Sequence, residues 1–254
     1  MKKFLWSFLV PVLVFLSGVS CNNIYQTQSL QHQSYRVSDS IPNNGSLQLL
    51  LQPYHIQVNK TMNMVIGTAD QTLERKQPEG TLGNFMVDAF FSMAAEKFNT
   101  KVDVAFVNSG GIRLTQLPAG NVTRGKIFEL MPFDNLLVLQ ELPGTVLQQF
   151  LDLTASSGGW SVAGMTMQIK NLPGGKAGKK AVNVMIAGKP LDPNTIYTSA
   201  NSNYLANGGD NADMLRNIPQ ISNGYLVRDA LFDYIKKQGN KISAKIANRV
   251  SHAQ

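Results

Sequence analysis

The chain has 254 residues, a formal charge of +7, three histidines and a single cysteine. One cysteine excludes a disulfide framework and any paired-cysteine metal or redox motif. A positive balance favours anionic ligands, but the lysines are scattered rather than interleaved with aromatic residues, which argues against nucleic-acid binding.

Residues 1–20 read as an export signal: Lys2 and Lys3, an apolar run over 4–16, and small residues just before Cys21. A transmembrane helix needs about 20 apolar residues, and this run is shorter and interrupted by Pro11. Cleavage before Cys21 would make it the new N-terminus, where a lipid attachment point explains it better than a reactive thiol. Gly18 stands where lipoprotein signals usually carry leucine, so plain secretion stays open beside lipidation. The expected location is the cell envelope, lipid-anchored at the membrane and facing periplasm or cell surface. Residues 21–45, rich in Asn, Gln and Ser, have too little apolar surface to fold and read as a flexible tether. Residues 46–254 then form one domain.

Within that domain helices and strands alternate without internal repeats. Leu47, Leu50, Leu51, Tyr54, Val58 and Met62 recur at helical spacing and predict an amphipathic helix, kinked or entered at Pro53. A short strand follows at 64–67. Leu82, Phe85, Met86, Ala89, Phe90 and Met93 put one apolar stripe on a core-facing helix over 82–98, with Asp88 off the stripe. Residues 102–107 and 136–142 read as buried strands, and 145–154 as a helix. Residues 162–169 and 182–186 read as hairpin partners joined by a Gly-Lys-rich stretch over 171–180. A strand at 196–200 and an amphipathic helix at 225–237 close the domain.

Catalysis by this chain alone is poorly supported by its residues. A two-metal phosphatase centre requires a dense set of His, Asp and Asn ligands. His32 falls in the tether and His252 near the end, leaving His55 in the folded part. No HExxH pair and no GxSxG elbow occurs. The stretch over 174–180 lacks the GxxxxGK[ST] spacing of a phosphate loop and reads as a flexible surface hairpin.

Two loops share one design, a strand running into a polar glycine turn. The first is Asn108-Ser109-Gly110-Gly111-Ile112-Arg113 and the second Tyr204-Leu205-Ala206-Asn207-Gly208-Gly209-Asp210. Glycines let backbone approach a ligand, Asn both donates and accepts, and Arg offers a planar fork for phosphate or carboxylate. Asp210 can accept two hydroxyls at once, and Tyr204 can lay a flat ring beside it. Each loop alone is also ordinary turn chemistry.

Pro53-Tyr54, Met64-Val65-Ile66-Gly67, Glu79-Gly80-Thr81-Leu82-Gly83-Asn84 with Asp88-Ala89, the Asn108 loop, Met131-Pro132-Phe133-Asp134-Asn135 and Leu205-Ala206-Asn207-Gly208-Gly209-Asp210 occur in that order. In this the chain resembles the C-terminal domain of the 5'-nucleotidase family. The resemblance implies an α+β fold, a layered domain with mixed sheets, that holds a nucleoside or nucleotide. It implies that Phe133 and Tyr204 sandwich the base and Asn108 faces the nucleoside. Arg113 then reaches towards phosphate, Asp210 binds ribose hydroxyls, and Lys76 supplies a further basic position. Ser109, Asn211 and Asn248 stand where the family often has glycine, as Tyr204 does where Phe is usual. The family's metallophosphatase domain has no counterpart in residues 1–45. No catalytic residue, metal ligand or cofactor is thus expected in this chain, and divalent metals are expected in a separate metallophosphatase partner. The alternative is a surface lipoprotein that binds nucleosides or nucleotides without cleavage.

Overall fold

The computed structural model describes residues 31–36, 44–172 and 178–253. The export signal, Cys21 and most of the tether lie outside these residues, as does the centre of the Gly-Lys-rich stretch. The segment Leu50–Gln254 is a compact unit. No helix among the described residues is long and apolar enough to cross a membrane.

The first helix, α1 (Gly45–Met62), contains Pro53 and buries no residue. The predicted helix is present, but its apolar stripe, including Leu50, Tyr54 and Val58, is exposed rather than packed on a core. It leads into β1 (Val65–Ala69), which pairs antiparallel with β5 (Gly120–Thr123) and parallel with β13 (Lys241–Ile242). A two-stranded ribbon joins β2 (Leu73–Glu74) to β4 (Gln116–Leu117).

The centre of the unit is a five-stranded sheet in the order β12-β6-β11-β3-β7. Its strands are β3 (Val104–Val107), β6 (Leu137–Pro143), β7 (Ser161–Ala163), β11 (Ile196–Ser202) and β12 (Gln220–Ile221). All four residues of β3 are buried because both faces of the sheet are covered. Strand alternation sends Ala105 and Val107 into one apolar core and Val104 and Phe106 into the other. The first core is closed by α2 (Thr81–Lys97) and α6 (Val227–Lys237). The second is closed by α4 (Gly144–Ser156), where Phe150 meets Phe106 edge-on at 4.9 Å between ring centres. Such a pair adds about 0.5–1.5 kcal/mol beyond its buried area.

One expected strand is two. Residues 162–169 break at Gly164, whose φ of +76° suits glycine and whose missing Cβ lets the Asp103 carbonyl come close. Before the break, β7 pairs with β3 in the central sheet. After it, β8 (Met165–Asn171) pairs with β9 (Lys179–Ile186), the predicted hairpin, in a second sheet with β10 (Lys189–Pro190) and β14 (Val250–His252).

The Glu79 motif and Asp88 tie the chain end to the core. Glu79 accepts hydrogen bonds from the Asn84 amide at 2.6 Å and from the backbone N–H groups of Ala247 and Arg249, both at 2.9 Å. The Arg249 guanidinium forks onto Asp88 at 2.6 and 2.9 Å. Asn248 has φ +55°, a conformation that asparagine tolerates better than other residues with a side chain.

On the other flank, Asp233 of α6 bonds Lys97 at 2.8 Å and Tyr225 at 2.7 Å. Burial alone would raise the Asp233 carboxyl, but the bonds from Lys97 and Tyr225 outweigh it and hold it below its ordinary value. Burial and the Asp233 bond push the Tyr225 phenol far upward.

Replacing Arg249 by Ala leaves Asp88 part-buried and unpaired. The variant is expected to lose about 2 kcal/mol in urea unfolding, with a smaller loss for Arg249→Met; wild-type stability in both would contradict the account. A depressed carboxylate adds stability above its ordinary pKa, and that stability disappears as pH falls through the folded-state value. Asp233→Asn should therefore flatten the dependence of thermal midpoint on pH below about pH 4. An unchanged acid slope would rule out the Asp233 contribution.

Candidate functional site

Parallel pairing of β3 with β11, with Ser199 opposite Val104 and Ala200 opposite Ala105, brings the C-terminal ends of both strands to one sheet edge. The antiparallel partner β6 begins at that same edge, with Leu137 opposite Ser202. Three loops therefore converge there, in the place where α/β sheets commonly take ligands.

Beyond β3, Asn108 precedes a single 3-10 turn, Ser109–Gly111. Ser109 lies outside the left-handed region, so serine fits there without strain. A Cβ on Gly111 would stand 2.8 Å from the Asn108 Oδ1, so glycine is needed for this close approach. Beyond β11, the Ser202 hydroxyl accepts a bond from the Leu205 N–H and starts the short helix α5 (Asn203–Ala206). Gly208, Asp210 and Asn211 all have positive φ, at +87°, +52° and +67°. Gly, Asp and Asn are the residues that enter this region most readily.

Before β6, α3 (Arg124–Leu130) leads into the Phe133 loop. Asn203 pins this loop to α5: its side-chain Oδ1 accepts from the Leu136 N–H at 3.0 Å, and its own N–H donates to the Leu136 carbonyl at 2.9 Å.

These loops enclose a cavity of about 310 Å³, within the usual range of small-molecule sites. Asn108, Arg113, Phe133, Tyr204 and Asp210 all line it, so five of the six ligand-contact residues expected from sequence come together. Phe133 and Tyr204 are 39% and 45% exposed. Asp210 is held at both carboxylate oxygens, by the Asn108 amide at 2.6 Å and the Tyr204 hydroxyl at 2.7 Å. That hydrogen bond to Asp210, followed by burial, raises the Tyr204 phenol above its ordinary value. The Arg113 guanidinium lies 5.7 Å from the centre of the Phe133 ring, within cation–π range, and among the described residues its tip has a long 3.5 Å contact to the Gly110 carbonyl as its one hydrogen bond.

Lys76 is elsewhere. It pairs with Glu74 at 2.6 Å, is largely exposed, and is absent from the cavity lining. Its neighbour Arg75 supports the site indirectly by donating to the Ile112 carbonyl at 2.6 Å.

Two further residues bear on the site. Asn135 lines the cavity, and its place in the Phe133 motif was the available signal. Arg228, on α6, is buried against the Phe128 ring at 4.2 Å. It donates to the Met131 and Phe133 carbonyls, both at 3.4 Å, and to Asp134 at 2.6 Å. Nothing local in the sequence marks it, because its partners lie more than 90 positions away.

A two-metal centre does not fit these residues. Asp210 is the single carboxylate on the lining and no histidine joins it. Among the described residues no group of three or more His, Cys, Asp or Glu could hold a metal ion.

The described fold is a mixed-sheet α+β domain with a small polar-aromatic cavity where the strand ends of the central sheet meet. The chain belongs to the 5'-nucleotidase family through its C-terminal domain, whose family model matches residues 65–217. It is 28% identical over 201 residues to the protein UshA of Yersinia enterocolitica, covering 79% of this chain and 36% of that one. It is 26% identical over 217 residues to a 5'-nucleotidase of Vibrio parahaemolyticus, covering 81% and 36% respectively. The crystal structure of a 5'-nucleotidase precursor from Thermus thermophilus superposes with a TM-score of 0.71 at 26% identity, over 84% of this chain and 44% of that one. The chain thus spans less than half the length of these relatives.

The charged fork of Arg228 is expected to hold the Phe133 loop. Arg228→Lys keeps the charge but loses the fork, and should free a local opening by about 1.5–3 kcal/mol. In hydrogen-exchange mass spectrometry, residues 131–135 should exchange at least about tenfold faster than in wild type, with the central sheet unchanged; equal exchange would refute the role.

Proposed function

We propose that this chain is the nucleoside- and nucleotide-recognition half of a 5'-nucleotidase, and that a separate metallophosphatase chain supplies the two-metal hydrolytic centre. The observation that carries the reading is the convergence of two half-exposed aromatic rings, a loosely held arginine and a doubly braced carboxylate on one 310 Å³ cavity.

Each group has a physical task. Phe133 and Tyr204 offer π faces to a flat base, worth about 1–3 kcal/mol per stacked base. Asp210 accepts sugar hydroxyls, and Asn108 holds that carboxylate in place. Among the described residues Arg113 pairs with no carboxylate, which suits its fork to a phosphate. Lys76 has no part in this arrangement as placed, being paired to Glu74.

The lining lacks the donors for activating water with metal, so hydrolysis needs groups from elsewhere. When bound in the partner, the two metal ions would polarise the phosphate and supply hydroxide. This chain's own residues bind and orient the nucleotide. In this reading Cys21 carries a lipid, and tethering both partners at one membrane surface raises their effective concentration.

The lining also favours a second reading, a surface lipoprotein that captures nucleotides without cleaving them. Hydrolysis of adenosine monophosphate is to be measured with divalent metal, using this chain, a stand-alone metallophosphatase from the same organism, and their mixture. Activity well above the sum of the separate chains is expected, and Phe133→Ala should cut the apparent nucleotide affinity of the mixture about tenfold or more. Nucleotide binding without gain on mixing would favour the capture reading. Neither binding nor gain would overturn both.

A further inference from the structure

Tyr204 does more in this structure than present a ring. Its hydroxyl donates to Asp210 Oδ1 at 2.7 Å and accepts from the Asp210 backbone N–H at 3.3 Å. The phenol therefore grips its neighbour six positions on by both side chain and backbone. Asp210 Oδ2 takes the Asn108 amide at 2.6 Å, and Asn108 is itself buried. The carboxylate is held at both oxygens, from opposite loops.

Each carboxylate oxygen has about two acceptor directions. Tyr204 and Asn108 occupy one on each oxygen, so one on each remains, in a single plane of fixed orientation. The ring that carries the hydroxyl is seated as well. A Cβ on Gly209 would lie 2.5 Å from one Tyr204 ring carbon and 2.6 Å from two others, so the ring lies against the bare glycine backbone.

We propose that the Tyr204 hydroxyl is a specificity-determining group: by locking Asp210 it makes the site select ligands with two adjacent hydroxyls, as in a ribose, over ligands with one. The inference rests on the nucleotide-recognition reading and goes beyond it by assigning selectivity to the phenol rather than to the stacking ring. A phenylalanine would stack equally well but leave the carboxylate free to turn towards a single hydroxyl or to water. A fixed pair of acceptors rewards a diol with two charge-assisted bonds and a deoxy sugar with one.

The test is calorimetric titration of the full chain with adenosine, 2'-deoxyadenosine and 3'-deoxyadenosine, in wild type and Tyr204→Phe. Wild type should favour adenosine over either deoxy form by about tenfold. Whatever its overall affinity, the variant should lose most of this preference, its adenosine to deoxyadenosine ratio falling to within about twofold of one. Because the hydroxyl sits on a half-exposed ring, the variant is expected to keep the wild-type circular dichroism spectrum. Gly209→Ala, which pushes the ring and its hydroxyl out of place together, should weaken binding and lower the preference as well. An unchanged preference in Tyr204→Phe, or equal binding of all three by wild type, would overturn this inference alone. Failure of wild type to bind any of them would overturn the nucleotide reading and this inference with it.

Discussion

The parallel pairing of β3 with β11 decides where everything else in the site can be. Parallel neighbours end at the same sheet edge, so the Asn108 turn and the Tyr204–Asp210 turn meet although they are about a hundred positions apart in sequence. Because β6 runs antiparallel to β11, its entry loop brings Phe133 to that edge as well. The pairing is secured on both faces: β3 alternates between two apolar cores, and each core is covered by a helix. A one-residue slip would exchange the faces of β3 and move Asn108 off the edge.

Around this frame, polar ties set the loops with finer control. Asn203 joins α5 to the Phe133 loop through both its side chain and its backbone. Arg228 reaches from α6 to two carbonyls and a carboxylate of that loop. Asn108 and Tyr204 close on Asp210 from opposite loops. The cavity is thus lined by loops but shaped by side chains anchored in helices and strand ends.

Much of this was legible from residue patterns because the signals are local. The stripe from Leu82 to Met93 predicted α2, the β-branched run into Asn108 predicted β3, and the ordered motifs picked out five residues that share one cavity. What was illegible depends on distant partners. Gly164 splits a strand because the Asp103 carbonyl crowds it, and nothing in residues 162–169 announces that neighbour. Arg228 looks like a surface residue of an amphipathic helix until α3 and the Phe133 loop are placed over it. The stripe of α1 reads as the apolar side of an amphipathic helix and is exposed in this structure, because periodicity records an apolar surface without saying what covers it. Lys76 was placed by motif register, which says nothing about Glu74 two positions away taking its charge.

Nucleotide binding by this chain itself, without added metal, is what the proposed function requires. It is tested most directly by titrating the chain alone with adenosine monophosphate in a chelator-containing buffer and following the heat. The account predicts saturable binding at one site per chain, unchanged by chelator and reduced about tenfold or more when Phe133 is replaced by Ala. No saturable binding, or binding that appears only with added divalent metal, would contradict it.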